Sequence, residues 1–95
     1  MECKQYKFSG HAIRRIFERE LNKEWVLFVV QSGEIIEDYP DDVPFPSYLI
    51  LGFIENTPLH VVLALDEESK ICYIITVYIP NQNIWQNDYK TRRRG

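Results

Sequence analysis

The residues of this chain best able to move protons and hold anions are two histidines and a set of arginines. His11 falls at about the second position of a predicted helix, where free N–H groups and the helix dipole favour an anion and keep an imidazole neutral. Arg15 lies one turn further along the same face and is suited to a bidentate phosphate contact. His60 lies in a predicted strand among residues that read as core. Two imidazoles can supply a general base and a general acid for attack of a ribose 2′-OH on phosphorus. Thr76 and Tyr78, at alternate positions of the last predicted strand, share one face and add hydroxyls. His11, Arg15, His60 and Tyr78 are therefore the candidate catalytic residues, and His11, Arg15 and His60 are expected to meet on one concave surface. A plainer reading stays open, in which His11 caps its helix, Arg15 pairs with Glu18 or Glu37, and His60 and Tyr78 are packed structural residues.

Charge is distributed unevenly. The net charge of −3 speaks against non-specific nucleic-acid binding. Yet Arg14, Arg15 and Arg19 cluster near the start, and Lys90, Arg92, Arg93 and Arg94 near the end. The two clusters make a single basic face for RNA phosphates if the termini meet. Glu34, Glu37, Asp38, Asp41 and Asp42 form an acidic stretch between them. It has no histidine at matching spacing and no paired-carboxylate nuclease motif, so no metal site is expected. There is no phosphate-binding glycine loop, and no cofactor is expected. Cys3 and Cys72 are far apart in sequence and lack C-x-x-C partners, which argues against zinc.

These residues need elements to position them. Ser9 is a suitable N-cap, after which Ala12, Ile13, Ile16, Phe17 and Leu21 recur at helical spacing and predict one apolar face against the core. Asn22 caps a second predicted helix, Lys23–Ser32, with Gly33 as its C′ residue. Strands are predicted over Glu34–Tyr39, 48–54, 59–65 and 71–79, with residues 2–8 extended or weakly strand-like. The last three are joined by short turns at 55–57 and 66–70 and so form an antiparallel meander. Three prolines exclude regular structure from 40–46. Pro80 ends the sheet, residues 83–89 make a helical turn around Trp85, and 92–95 are expected to fray. The fold class is α+β, two N-terminal helices packed on a curved antiparallel sheet of about four strands.

Composition sets the frame. The 95 residues, 45% hydrophobic and 14% aromatic, suffice for one domain and its core. No apolar run approaches the roughly 20 residues needed to span a membrane, and the opening residues lack the apolar stretch of a signal peptide. Both point to the cytoplasm, where the cysteines are expected to be reduced and Cys72 reads as a small buried hydrophobe.

Phe8-Ser9-Gly10-His11-Ala12, followed by Arg15 and Arg19, resembles the HA-x-x-R-x-x-x-R opening of the domain of unknown function 4258 family. The stretches Gly33 to Pro40, Pro58 to Val62 and Ile75 to Pro80 resemble it too, as does Trp85 before a basic end. Ile16 stands where the family pattern implies methionine. Through this family the chain is similar to small RelE-type and MqsR-type toxins of toxin–antitoxin systems. The resemblance implies a metal-independent endoribonuclease acting on mRNA, alone or on the ribosome, with a zinc-finger antitoxin as partner. His11, Arg15 and His60 would lead its site, with Tyr78 and Arg92 behind them. A non-catalytic domain that binds a protein or a small anion is the alternative.

Overall fold

The Ser9 hydroxyl organises the first third of the chain. Its oxygen accepts from the Ala12 N–H (3.0 Å) as an N-cap, and its proton goes to the Ile75 carbonyl (2.8 Å). One side chain thus starts a helix and fixes it to a strand. The computed structural model describes residues 1–94. Its elements are β1 (Gln5–Phe8), α1 (Gly10–Glu18), α2 (Lys23–Ser32), β2 (Glu34–Tyr39), β3 (Ser47–Ile54), β4 (Thr57–Asp66) and β5 (Ile71–Tyr78). They form one α+β fold with a five-stranded mixed sheet in the order β1-β5-β4-β3-β2.

Residues 2–8 contribute more than a weak extension. β1 pairs parallel to the first half of β5, so the sheet has five strands and is mixed, not four-stranded and purely antiparallel. The α1–α2 pair and three further strands intervene between β1 and β5, which makes a parallel neighbour possible where a tight hairpin would not. This pairing also overturns the expectation of reduced cysteines. Tyr6 stands opposite Cys72, Cys3 follows the strand back, and the two cysteines form a disulfide with a Cα separation of 5.7 Å.

Both helices lie on one face of the sheet. Ala12 and Ile16 of α1 and Val26 and Val29 of α2 pack with Ile50, Leu59, Val61, Leu63, Leu65, Ile74 and Val77. Burying each such aliphatic side chain contributes roughly 1.5–3 kcal/mol. The predicted apolar face of α1 is only half used: Ile13 is 45% and Phe17 84% exposed. A nine-residue helix resting mainly on β5 buries a narrow i, i+4 stripe, and positions turned 100° from it remain in solvent. α2 starts as expected, with Asn22 Oδ1 accepting from the Trp25 N–H at 2.8 Å. Gly33 is not a left-handed C′ residue; its backbone is extended. Its small size matters instead, since a Cβ there would stand 2.5 Å from the carbonyl oxygens of both Val29 and Leu51.

The second face of the sheet is covered by residues 81–94, a strap that returns across it. Trp85 is buried against this face and bridges Arg92. The helical turn expected over 83–89 is not formed; a turn at 81–85, closed by the Ile84 and Trp85 N–H groups on the Asn81 carbonyl, leads into the Trp85 bridge instead. The expected fraying does not extend to Arg92 and Arg93. The Arg93 N–H bonds the Ile84 carbonyl, and its Nε donates to the carbonyls of Gln82 and Trp85. Gly95, the last residue of that expectation, lies outside the described residues. Among the described residues no helix is long and apolar enough to cross a membrane.

Candidate functional site

Two irregularities in the sheet decide which side chains face the strap. On β4, Leu59, Val61, Leu63 and Leu65 belong to the helix-side core, so the alternating His60 and Val62 point to the other face. On β5, Cys72 and Ile74 also point to the helices. Unbroken alternation would send Thr76 and Tyr78 there as well. A bulge between the Val62–Thr76 and Leu63–Ile74 pairs inserts one residue, and Tyr78 comes to stand opposite His60. On β2, a second bulge between Ile35 and Glu37 sets Glu34 opposite Leu51 and Glu37 opposite Leu49. Without it Glu34 and Glu37, three residues apart, would lie on different faces. With it Glu34, Glu37 and Tyr39 all look toward the strap.

The polar groups on this face form a row. His60 is fully buried. Its Nε2 lies 2.7 Å from the Tyr89 carbonyl, an obligate acceptor, so Nε2 carries the proton. That leaves Nδ1 as an acceptor for the Tyr78 hydroxyl at 3.2 Å. The imidazole also meets the Trp85 ring edge-on at 4.6 Å between centroids. Arg92 lies over the same indole, its Cζ 4.5 Å from the ring centre. The guanidinium grips Glu37 with two bonds, Nε to Oε2 at 3.1 Å and Nη2 to Oε1 at 3.3 Å. The Tyr39 hydroxyl donates to the same carboxylate. Further along, Lys90 pairs with Glu34 at 3.4 Å.

Electrostatics separates the roles of these groups. Burial pushes the His60 imidazole below its ordinary value; the Tyr89 carbonyl and the Glu37 charge oppose this without cancelling it, so the ring is neutral. Burial likewise raises the Tyr78 phenol, which stays protonated. Burial would raise Glu37 too, but the Arg92 and Tyr39 hydrogen bonds and the guanidinium charge outweigh it and hold the carboxyl below its ordinary value. The bond to Glu37 raises the Tyr39 phenol. The face therefore presents an ionised carboxylate, a guanidinium and a neutral phenol backed by a neutral imidazole. Glu37 is 25% and Arg92 56% exposed in their side chains, so solvent and ligands reach this pair.

The residues singled out from sequence divide between two surfaces. His60, Tyr78, Lys90 and Arg92 share the strap face. His11, Arg14, Arg15 and Arg19 belong to α1 and its C-cap, in the helical layer, with the sheet between them and His60. The expected convergence of His11, Arg15 and His60 fails, and so does the single basic face. Arg15 pairs with Glu18 at 3.7 Å, as the plainer reading has it. Arg93 spends its Nε on strap carbonyls. Glu37 and Tyr39 were missed as site residues. Their signal was a Glu-x-Tyr pair on a predicted strand, which puts a carboxylate and a phenol on one face, but nothing in the sequence fixed which face. Among the described residues no group of three His, Cys, Asp or Glu is placed to hold a metal ion.

The family profile described as domain of unknown function 4258 matches residues 8–79. The chain belongs to this family. Comparison with curated proteins and with solved structures returned no match. The part shared with domain of unknown function 4258 runs from the end of β1 through β5. It includes Glu37, Tyr39, His60 and Tyr78. Cys3 and the strap, with Trp85 and Arg92, lie outside it.

Proposed function

We propose that the protein is a metal-independent endoribonuclease that cleaves RNA by attack of the 2′-OH on the adjacent phosphorus, using the strap face of the sheet. The observation that carries this reading is the row Glu37–Arg92–Trp85–His60–Tyr78. It holds an ionised carboxylate, a guanidinium and a protonated phenol side by side at a solvent-reached surface. Glu37 takes the 2′-OH proton. Arg92 swings from Glu37 to the phosphate and stabilises the charge that builds up at phosphorus. Tyr78 turns its hydroxyl from His60 Nδ1 and gives that proton to the leaving 5′-oxygen, while the packed His60 ring backs the phenol. The reading assigns no role in proton transfer to His11 and Arg15. They and Arg19 serve at most as distant phosphate contacts.

Two helices packed on a largely antiparallel sheet are the point of likeness to RelE-type and MqsR-type toxins, and here the other face carries the polar row under the strap. Within this proposal the substrate is mRNA, free or on the ribosome, and a zinc-finger antitoxin restrains the enzyme. Fold likeness alone does not carry an activity, so the test is direct. Purified protein is incubated with a long single-stranded RNA in EDTA, with and without ribosomes, and the product ends are identified. Cleavage leaving 2′,3′-cyclic phosphates is expected. Arg92→Ala should lower the rate about 10²–10³-fold and Glu37→Gln about 10²–10⁴-fold, while His11→Ala leaves it within about threefold. No cleavage under either condition, or equal rates in all four proteins, favours the second reading, a non-catalytic binding domain. One feature supports that reading independently: a groove of exposed aromatic side chains beside α2, separate from the His60 row.

A further inference from the structure

α2 is apolar on more of its circumference than it buries. Val26 and Val29 go into the core, while Trp25 and Phe28, one turn apart on another side, are 38% and 55% exposed. Phe53, near the end of β3, is 48% exposed beside them. With Ile54 these rings line a groove of about 360 Å³, and Glu24 and Glu55 complete its lining. A second pocket of about 100 Å³ continues from Trp25, Ile54 and Glu55 toward Leu59. Single exposed apolar side chains are ordinary, but contiguous aromatic ones around a concavity mark a contact surface.

We propose that this groove docks a segment of a partner protein that presents large apolar side chains flanked by Lys or Arg. Charge selects this occupant. Among the described residues neither Glu24 nor Glu55 takes part in an ion pair, whereas Glu18, Glu34 and Glu37 do. Two carboxylates at the wall of an apolar groove favour cations at the edge of whatever enters it. A second copy of this chain, docking the same face on itself, would set these carboxylates against each other. An anionic membrane surface would be repelled for the same reason. The groove is separate from the His60 row but touches it at one point: Phe53 meets the Tyr89 ring edge-on at 6.3 Å, and the Tyr89 carbonyl holds His60. The inference does not depend on ribonuclease activity.

The probe is a short amphipathic Leu/Lys peptide carrying a fluorophore, titrated with the full chain and followed by anisotropy. A Leu/Glu peptide of the same apolar pattern, phosphatidylglycerol vesicles and sedimentation velocity of the protein alone are run beside it. The Leu/Lys peptide is expected to bind, and Phe28→Ser and the pair Glu24→Lys with Glu55→Lys should each weaken it about tenfold or more. The charge-matched pair Asp41→Lys with Asp42→Lys, on an acidic loop elsewhere, should leave it within about twofold, which separates groove recognition from general attraction. All substituted side chains are exposed, and circular dichroism verifies their folding. Equal binding of the Leu/Glu peptide, or equal weakening by the loop pair, overturns the proposal. So does vesicle binding or a dimer abolished by Phe28→Ser, which would assign the groove to a lipid surface or to a second copy.

Discussion

With its Nε2 proton given to the Tyr89 carbonyl, His60 can take up a further proton only at Nδ1, and only by displacing the Tyr78 hydroxyl hydrogen from it. Burial already sets the folded pKa below the ordinary 6.5. In the unfolded chain the ring titrates near that ordinary value, so below it the unfolded state binds more protons than the folded one. The stability that His60 confers is therefore complete above 6.5 and falls as the pH drops toward the folded pKa. Urea unfolding at about pH 7.5 and about pH 5.5 should show wild type losing stability over this interval and His60→Gln losing less. Equal losses would mean that the ring is not held neutral. Glu37 acts lower on the scale. Its folded pKa is depressed from 4.5, so its contribution is present above that value and lost as the pH falls below it. Glu37→Gln should flatten this acid limb alone. The sequence allowed His60 to be noticed as one of only two histidines and Tyr78 and Arg92 to be grouped with it, but not the contacts that join them. Trp85, Arg92 and Tyr89 reach it through a strap folded back over the sheet, a long-range packing event with no local signature.

The elements were more legible than their faces. β2 matches its predicted bounds, and the other three predicted strands start or end within two residues of theirs. Period-two alternation and turn residues supply that information locally, and the β3–β4 turn through Glu55 and Asn56, both at positive φ, is of the two-residue hairpin kind. Alternation cannot tell which face is buried when a bulge intervenes, and both bulges here lie in strands that carry site residues. β1 registers only as a weak extension over 2–8, because a four-residue edge strand has too short a pattern to reveal its parallel pairing. A further consequence concerns the junction of α2 and β2. Because a Cβ on Gly33 would press within 2.5 Å of two backbone oxygens, the helix and β3 must move apart to admit one. Gly33→Ala should destabilise the fold by about 1–3 kcal/mol, the usual effect of overpacking, although alanine is the better helix former. Thermal unfolding of the two proteins decides it, and a variant as stable as wild type would show that this junction is loosely packed.

At the scale of the whole molecule, the sheet is a partition with helices on one side and the strap on the other, and two different devices close its edges. On the β2 side, Lys90 and Arg92 of the strap pair with Glu34 and Glu37, exposed contacts that salt will weaken. On the other side, β1 is held to β5 by four parallel pairs and by the Cys3–Cys72 disulfide, which salt does not touch. The bridge spans 69 residues and encloses both helices, four whole strands and the start of β5. In the chain-entropy account a closed loop of this length raises the free energy of the unfolded state by about 4 kcal/mol. That is a large part of the roughly 5–15 kcal/mol by which a domain is stable. Reduction should leave the fold in place, because β1 keeps its backbone pairing, α1 keeps its Ser9 tie to Ile75, and Cys72 is buried as a small hydrophobe either way. The urea midpoint should nevertheless fall markedly in dithiothreitol. Cys3→Ser, chosen because Cys3 is only half-buried, should show the reduced protein's midpoint with or without reductant. A wild-type midpoint indifferent to dithiothreitol, with both thiols titrating as free in the denatured chain, would mean that β1 is held by its hydrogen bonds alone. An unfolded Cys3→Ser protein would mean that those hydrogen bonds cannot hold β1 without the bridge.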